Sequence, residues 1–324
     1  MITITEIKDS GFRYEPEQPQ DYIMGVTSPL PAPPVIFPNG HGWTKYRAKA
    51  EMQFNKHFDT FSCTIYSILK ATVAYLHKVY GVETTMSEMY HAFFAGVSIE
   101  KGGTTARQAL ESLRLNGWVP DSEYPFTAET TSEQFFLKPP ETIILQGKDK
   151  LTKWKVHWEQ LDVSGNVPHS KIKEALKRTE VLCSGYAWAE RGGEFIDLGK
   201  RANHMFKIDD YRGDNLVVYD SYPFDRQYDQ DSEDVEFEKV LASSYRIWSA
   251  HRVWLTPIVT VKKTNTTKIL KDKDSSTIFF ADPVLSEGAF ESYAANHGKE
   301  VPKDKEGKLD WDRIEIDGEV ELKK

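Results

Sequence analysis

The chain has 324 residues and a formal net charge of −8, with 41 lysines and arginines against 49 aspartates and glutamates. Its length fits one large domain or two lobes, and a content of 40% hydrophobic and 12% aromatic residues is typical of a folded globular protein. The acidic balance argues against nucleic acid as a partner, because nothing in it would gather phosphates. No run of about 18 apolar residues occurs, so we expect no membrane partner.

The sequence shows neither a secretory signal nor a cysteine-based scaffold. The first residues, MITITEIKDSGF, lack a basic stretch followed by an apolar one, so we expect a cytoplasmic protein or one assembled into a virion-like particle. Two cysteines are too few for a disulfide framework or a cysteine-rich zinc site, and the nine histidines show no paired metal-ligand spacing. We therefore expect no metal.

Residues 1–44 form a proline-rich N-terminal segment, which we call the strap. Its stretch GVTSPLPAPPVIFPNGHGWT, at residues 25–44, contains five prolines, which fix φ and withhold backbone N–H groups. This composition predicts an extended, irregular chain. Such a segment can lie over the main body, cover a cleft or dock on a partner protein.

The next part of the chain is predicted to be mainly helical. From Cys63 to Val79 apolar residues recur at spacings of three and four, and Gly81 is placed to end the helix. Similar patterns and turn residues predict helices at 86–95, 105–116 and 169–178.

The second half is predicted to be mainly β-strand. Runs of β-branched and aromatic residues, separated by turn residues, occur in EVLCSGYAWA, HMFKIDDYR, NLVVYDSY and AHRVWLTPIV. A helical half followed by a strand half indicates an α+β protein with a helical lobe and an antiparallel β lobe. A cleft is expected where the two lobes meet.

Residues 259–324 are predicted to form a linker and a small C-terminal appendage. Residues 260–276 are polar, rich in lysine and without period, which is typical of a linker. The rest offers a helix candidate at 287–296 and a strand candidate at 311–316, too little for a large core. The sequence thus predicts three parts: the strap at 1–44, a main domain at 45–258 and the appendage.

One of the two cysteines, Cys63, stands at the predicted start of a helix. Unpaired N–H groups and the helix dipole at that position favour a thiolate and lower the pKa of a thiol. Free cysteine is also common as a small buried residue, so position alone leaves both interpretations open. Cys183 falls inside a predicted strand, and we expect it to belong to the core.

His204 begins a predicted strand, which a turn at Gly213 joins to a second strand ending at Asp220. His204 and Asp220 are 16 positions apart, and an antiparallel pair brings the start of one strand beside the end of the next. A nucleophilic thiol needs an imidazole to take its proton and a polar group to orient that imidazole. Cys63, His204 and Asp220 are therefore our candidate catalytic residues.

Residues 53–258 resemble a papain-like (C1-type) cysteine peptidase. KGGTTARQALESLRLNGWVPDSEYPF is similar to the family's Gly-Gly, helix, NG and YP turn, and NHMFKIDDYRGDNLVVYDSYP to its His, strand, turn, strand and Asn-Ser-Trp. The 141 positions between Cys63 and His204 fall within the ~130–150 expected of such enzymes. The resemblance implies a papain-like two-lobed α+β fold and hydrolysis of peptide bonds in a peptide or protein substrate, without a cofactor.

The resemblance also implies a role for each candidate. Cys63 would be the nucleophile, His204 the general base and acid, and Asp220 the orienting group where the family has asparagine. Asp accepts the imidazole N–H as well as Asn does, so the change alters the charge of the site but keeps the orienting role. Tyr222 stands where the family has the tryptophan that shields the orienting residue.

Substrate-binding and oxyanion residues follow from the same resemblance. Gly102 and Gly103 would present backbone to an extended peptide. The family's oxyanion glutamine stands six positions before the nucleophile, where this chain has His57. Gln53, four positions further back, is our preferred oxyanion candidate, because an insertion of that length would let its amide reach the site.

Two other classes of function fit the same residues. A catalytically weak or inactive papain-fold protein could serve as a structural or binding component of a phage tail or virion, with the strap and the appendage as contacts for protein partners; this idea rests on analogy. A thiol-dependent transferase would use the same three catalytic residues.

Overall fold

The computed structural model describes residues 11–13, 15, 32–49, 51–98, 100, 102–162, 164–186, 190–191, 194–195, 201–222, 237–258, 269–272, 278–280, 305 and 314–316. The chain divides into two compact units. The first comprises Met1–Pro31 and Val35–Pro257, and the second Ala32–Pro34 and Ile258–Lys324. The helix predicted at 287–296 and residues 25–31 of the strap lie outside the described residues.

The helices of the first unit precede or interrupt its strands. They are α1 (Cys63–Tyr80), α2 (Glu88–Phe94), α3 (Ala106–Asn116), α4 (Ser132–Phe135), α5 (Glu141–Lys150) and α6 (His169–Leu176). The sequence predictions of α1, α2, α3 and α6 are confirmed. The sequence did not predict α4 and α5, because α4 is a single turn and the apolar residues of α5 form one short run that ends at Leu145.

Helix α1 is the central helix of the first unit. It is buried from Cys63 to Leu76, which is why its sequence is apolar around most of its circumference. It ends at Gly81, which adopts a left-handed φ of 65° and donates its N–H to His77 O. A residue without Cβ adopts that conformation at little cost.

One eight-stranded sheet packs against α1. Its strands are β1 (Trp154–Asp162), β2 (Val181–Gly185), β3 (Glu190–Arg191), β4 (Glu194–Phe195), β5 (His204–Arg212), β6 (Asn215–Tyr219), β7 (Glu238–Leu241) and β8 (Ser249–Pro257). Their order is β1-β8-β2-β5-β6-β7-β4-β3, with antiparallel neighbours except for the parallel pair β4 and β7. The predicted antiparallel β lobe is confirmed.

The β5–β6 hairpin sets the position of the candidate catalytic pair. Lys207 pairs with Tyr219, so the start of β5 and the end of β6 lie at the same edge of the hairpin. Because α1 packs on β5 and β8, Cys63, the first residue of α1, lies beside the start of β5. Residues of α1 and of the sheet belong to one continuous hydrophobic core.

Residues 36–43 of the strap are attached to the end of α6. Backbone N–H groups of Ile36 and Phe37 donate to Lys177 O, and the Trp43 indole donates to Leu176 O at 2.7 Å. The prediction of an extended chain is wrong at its last two residues, because Trp43–Tyr46 forms a 3-10 helix that buries the Trp43 ring.

The second unit contains a small antiparallel sheet. Its strands are β9 (Ile269–Asp272), β10 (Ile278–Phe280) and β11 (Ile314–Ile316), with β9 in the centre. β9 lies inside the stretch predicted to be a linker, so that prediction is wrong there: the surrounding lysines obscured the strand-forming pair Ile269 and Leu270. The strand candidate at 311–316 is confirmed over its last three residues.

Candidate active site

Cys63 is the first residue of α1, and its side chain is fully buried. Its Sγ accepts a hydrogen bond from the backbone N–H of Met205 at 3.4 Å. The Ser67 hydroxyl lies 2.8 Å from Cys63 O and 3.1 Å from Met205 O, which fixes the first turn of α1 against β5. The sulfur therefore lies beside the backbone that carries His204.

His204 and Asp220 form a buried hydrogen-bonded pair. The His204 Nε2–H donates to Asp220 Oδ1 at 2.8 Å, and both side chains have no exposed surface. An ionised carboxylate can only accept, so the proton must be on Nε2, and Nδ1 is the proton-accepting nitrogen of the neutral ring. The structure thus brings together the three residues that the sequence singled out, with Met205 linking Cys63 to the pair.

Asp220 has two further hydrogen-bond donors. Its Oδ1 also accepts the backbone N–H of Ser221 at 2.7 Å, and its Oδ2 accepts the Lys239 ammonium at 3.0 Å. Burial alone would raise the pKa of Asp220, but the charges of Lys239 and His204 outweigh it and hold that pKa well below its usual range. Asp220 is therefore ionised at neutral pH.

Both cysteines have raised pKa values in this structure. Burial raises the pKa of Cys63 far above its ordinary value, against the opposing hydrogen bond from the Met205 N–H. The sequence led us to expect a lowered pKa at this helix N-terminus; for the buried thiol the shift is in the opposite direction, because desolvation outweighs the hydrogen bonds of Met205 and Thr64. Cys183 lies in β2, and burial likewise raises its pKa; its predicted place in the core is confirmed.

Gln53 is buried beside the triad in a network of side-chain hydrogen bonds. Its Nε2 donates to Asp59 Oδ1 at 3.0 Å and to the Tyr222 hydroxyl oxygen at 2.6 Å, and its Oε1 accepts from Ser221 at 2.7 Å. The bonds to Asp59 and Tyr222 account for both hydrogens of the Gln53 amide nitrogen. His57, the other residue considered, is half-exposed and lies 3.9 Å from Glu129.

Tyr222 connects this network to His204. Its ring centroid lies 5.7 Å from that of His204, and its hydroxyl donates to Asp59. Burial raises the pKa of Asp59, although the donors Tyr222 and Gln53 oppose the shift. Asp59 was not among the candidate residues, because no sequence pattern distinguishes it from any other polar residue of a loop.

The turn that leads into α1 is strained at Phe61. Its φ is 53°, and it is the one non-glycine residue with positive φ in the described part of the chain. Such a conformation costs of the order of 1–3 kcal/mol. The Phe61 N–H donates to Asp59 Oδ1 at 2.8 Å, which helps to hold the strained turn two residues before Cys63.

The N-terminal residues Gly11–Arg13 lie in the space between Thr104 and Asn203, which we call the groove. Thr104 N–H donates to Gly11 O at 3.0 Å, Arg13 N–H to Thr104 O at 2.9 Å, and Phe12 N–H to Asn203 O at 3.3 Å. A Cβ on Gly103 would lie 1.9 Å from Gly11 O, so this approach requires glycine. Gly102, by contrast, borders open space.

The Phe12 side chain is buried and forms part of the lining of a small pocket. The lining includes Ala106, Trp158 and His251. Arg107 also lines this pocket and forms an ion pair with Glu15 at 3.3 Å. The groove therefore holds an extended peptide segment through backbone hydrogen bonds and one buried aromatic side chain.

Among the described residues, no group of three or more His, Cys, Asp and Glu side chains is placed to hold a metal ion. Of the described helices, none combines the length and the apolar surface that crossing a lipid bilayer requires.

No protein-family model and no curated protein sequence matches the chain, but solved structures resemble it. Xylellain, a cysteine protease from Xylella fastidiosa, has a TM-score of 0.50 and 12% identity, over 79% of this chain and 98% of that one. Digestive procathepsin L 3 from the larval midgut of Tenebrio molitor has a TM-score of 0.48 and 14% identity, over 72% and 73%. At such identity the likeness to Xylellain is evidence of fold. Together with the helices and antiparallel sheet described above, it shows that the chain has a papain-like α+β fold.

Proposed function

We propose that the chain is a papain-like cysteine peptidase that hydrolyses peptide bonds through a thioester acyl-enzyme. One observation carries the proposal: the Cys63 sulfur, at the head of α1, accepts the N–H of Met205, directly after a His204 that is paired with Asp220. A thiol, an imidazole and an orienting carboxylate are the groups that nucleophilic acyl transfer requires.

The reaction would proceed in two halves. His204 Nδ1 takes the thiol proton, and the sulfur of Cys63 attacks the carbonyl carbon of the substrate. The tetrahedral intermediate breaks its C–N bond, and His204 gives the proton to the leaving amine. Water, deprotonated by His204, then attacks the thioester, the C–S bond breaks, and the proton returns to the thiol. Asp220 keeps the imidazole in the required tautomer throughout.

The developing oxyanion needs hydrogen-bond donors near the sulfur. The N–H groups of the first turn of α1 have no intrahelical acceptors, and the helix dipole adds to their effect. Gln53 is our candidate for the side-chain donor. Because its amide donates to Asp59 and Tyr222 in this structure, it would have to exchange one of these bonds for the oxyanion.

The groove supports a peptide as the substrate. It already binds an extended segment of this chain by backbone hydrogen bonds to Thr104 and Asn203, a mode that does not depend on sequence. Cys63 is fully buried in this structure, and Gly11 approaches Phe61, two positions before it, so we propose that residues 11–13 leave the groove when a substrate binds. We propose Gly103 as part of the substrate-binding backbone and retain Gly102 as its neighbour.

An experiment that separates the classes uses denatured casein as the substrate. The full chain is expected to release new peptides, and Cys63→Ala to release none. In H₂¹⁸O a peptidase incorporates ¹⁸O into the new carboxyl groups, whereas a transferase passes the acyl group to an added amine such as glycinamide. Equal release by wild type and Cys63→Ala would contradict the proposal.

The second candidate is a binding protein with the same fold. The full burial and raised pKa of Cys63 favour it, since a thiol in that state does not react. In that case the strap and the appendage would be contacts for protein partners, as in a phage tail or virion. A chain that cleaves no protein, with or without residues 1–15, would support this candidate.

A further inference from the structure

Lys239 of β7 is a buried cation bonded to the orienting carboxylate. Lys239 pairs with Val218 across β6 and β7, which places it diagonally beside Asp220 on the same face of the sheet. Its ammonium lies 3.0 Å from Asp220 Oδ2, and neither side chain has exposed surface. The other oxygen of the same carboxylate accepts the His204 N–H.

We propose that Lys239 is a positioning residue of the active site, which neutralises Asp220 so that the pair acts on His204 as a neutral hydrogen-bond acceptor would. The importance of this role for catalysis rests on the proposed function. The charge relationship itself does not, because it concerns two buried side chains and one imidazole.

An imidazole that acts as both general base and general acid must accept a proton and then release it readily. A lone carboxylate beside an imidazolium stabilises its charge, and an opposite charge within ~4–6 Å shifts a pKa by about 1–3. An imidazolium held that tightly is slow to give its proton to a leaving amine. A cation on the far oxygen offsets this effect, while the near oxygen still orients the ring.

Lys239 also fixes the geometry of the carboxylate. With Lys239 on Oδ2, and Ser221 N–H and His204 on Oδ1, Asp220 is held at both oxygens. A buried ammonium and carboxylate stabilise each other, whereas either one alone would be strongly destabilising. Loss of either member alone should therefore cost more stability than loss of both.

Other charged groups also interact with the His204–Asp220 pair. The positive charge of Lys70, on α1, interacts with Asp220. The charge of Asp59, in the loop before α1, interacts with that of His204. Cys63 feels the charges of Asp59 and Asp220. Among these groups Lys239 is the cation that bonds the carboxylate directly, and it is the one tested.

The test measures the pKa of His204 by NMR titration of histidine ring resonances in the full chain, with His204→Gln for assignment. Four proteins are compared: wild type, Lys239→Met, Asp220→Asn and Asp220→Asn/Lys239→Met. We expect Lys239→Met to raise the measured pKa by about 1 or more, because an uncompensated carboxylate favours the imidazolium. Asp220→Asn should lower it by a similar amount, and the double variant should return it to within about 0.3 of wild type.

Two matched variants exclude a purely structural role. Lys207→Met removes an equally buried cation that pairs with Glu180 and Asp209 instead, and it should leave the His204 pKa near the wild-type value. Lys239→Arg keeps the charge and should titrate as wild type does. If the single variants do not fold, the double variant decides, since it contains neither buried charge.

Two results would overturn the proposal: a His204 pKa unchanged by Lys239→Met, or a double variant that is unfolded or keeps the shift of Lys239→Met. Peptide cleavage is measured separately. Titrations as predicted in a chain that cleaves nothing would refute the peptidase proposal while leaving the charge compensation intact.

Discussion

Gly11 and Gly103 pack backbone against backbone: a Cβ on Gly103 would lie 1.9 Å from the Gly11 carbonyl oxygen. Gly11 also approaches Phe61: a Cβ on Gly11 would lie 2.1 Å from the Phe61 carbonyl oxygen. The N-terminal residues therefore run between the strained turn before Cys63 and the glycine that our proposal assigns to substrate. The described structure is that of a filled groove.

The first prediction concerns access to the thiol. Removal of residues 1–15 should speed iodoacetamide alkylation of Cys63 at least about tenfold, because burial is what raises its pKa and shields it. Peptide mapping of the alkylated protein measures the rate. Cys183, buried in β2, is the internal control and should label equally slowly in both forms. An unchanged rate at Cys63 would mean that another part of the chain covers the sulfur.

The second prediction concerns the orienting group. Asp220→Asn should retain more peptide turnover than Asp220→Ala, because the amide oxygen still accepts the His204 N–H. Both leave Lys239 buried without its counter-ion, so urea denaturation should show both to be less stable than wild type, by about 3–5 kcal/mol. Equal turnover in Asp220→Ala and wild type would remove Asp220 from the mechanism.

The third prediction separates a catalytic from a structural role of Gln53. If Gln53 donates to the oxyanion, Gln53→Ala should lower kcat about 10²–10³-fold with little change in KM. Tyr222→Phe is the matched control: it loosens the same network but keeps the amide, and its kcat should fall less than about tenfold. Equal losses in the two variants would assign Gln53 to the support of the loop.

The fourth prediction concerns stability in acid. Burial lowers the pKa of His91 to about 3, below the ~6.5 of an unfolded histidine. The unfolded state then binds the additional proton, so stability should fall as pH drops below ~6.5, by about 1.4 kcal/mol per pH unit for this residue. His91→Asn should reduce the slope by that amount between pH 6 and 4, as measured by urea denaturation.

A slope in His91→Asn identical to that of wild type would show that His91 is not held neutral in the folded chain.

The sequence predicted those parts of the fold that have a strong local pattern. The three-to-four spacing from Cys63 to Val79 and the turn at Gly213 each specify one element, and the hairpin geometry then brought His204 to Asp220. β1 and β7 were not predicted. β7 is four residues long, too short for its alternation to stand out.

The parts of the site that were missed depend on long-range contacts. Lys239 meets Asp220 only through the pairing of β6 with β7, which no local pattern encodes. One signal in the sequence pointed to a buried lysine. Lys239 lies between Phe237 and Leu241 in an alternating pattern, which places all three residues on the inward face of a strand. The pKa of Cys63 was mispredicted for a related reason: its burial in the folded chain cannot be seen from its position in the helix.

The most direct test of the account is covalent labelling by a peptidyl vinyl sulfone, read by intact-protein mass spectrometry and peptide mapping. The full chain and the chain without residues 1–15 are each compared with Cys63→Ala, Cys183→Ala and His204→Ala. We expect a single adduct on Cys63, formed faster in the shortened chain, unaffected by Cys183→Ala, absent in Cys63→Ala and at least about 10²-fold slower in His204→Ala. An adduct on Cys183, the same rate in His204→Ala, or no adduct in either form would contradict the assignment of Cys63 and His204 as nucleophile and base.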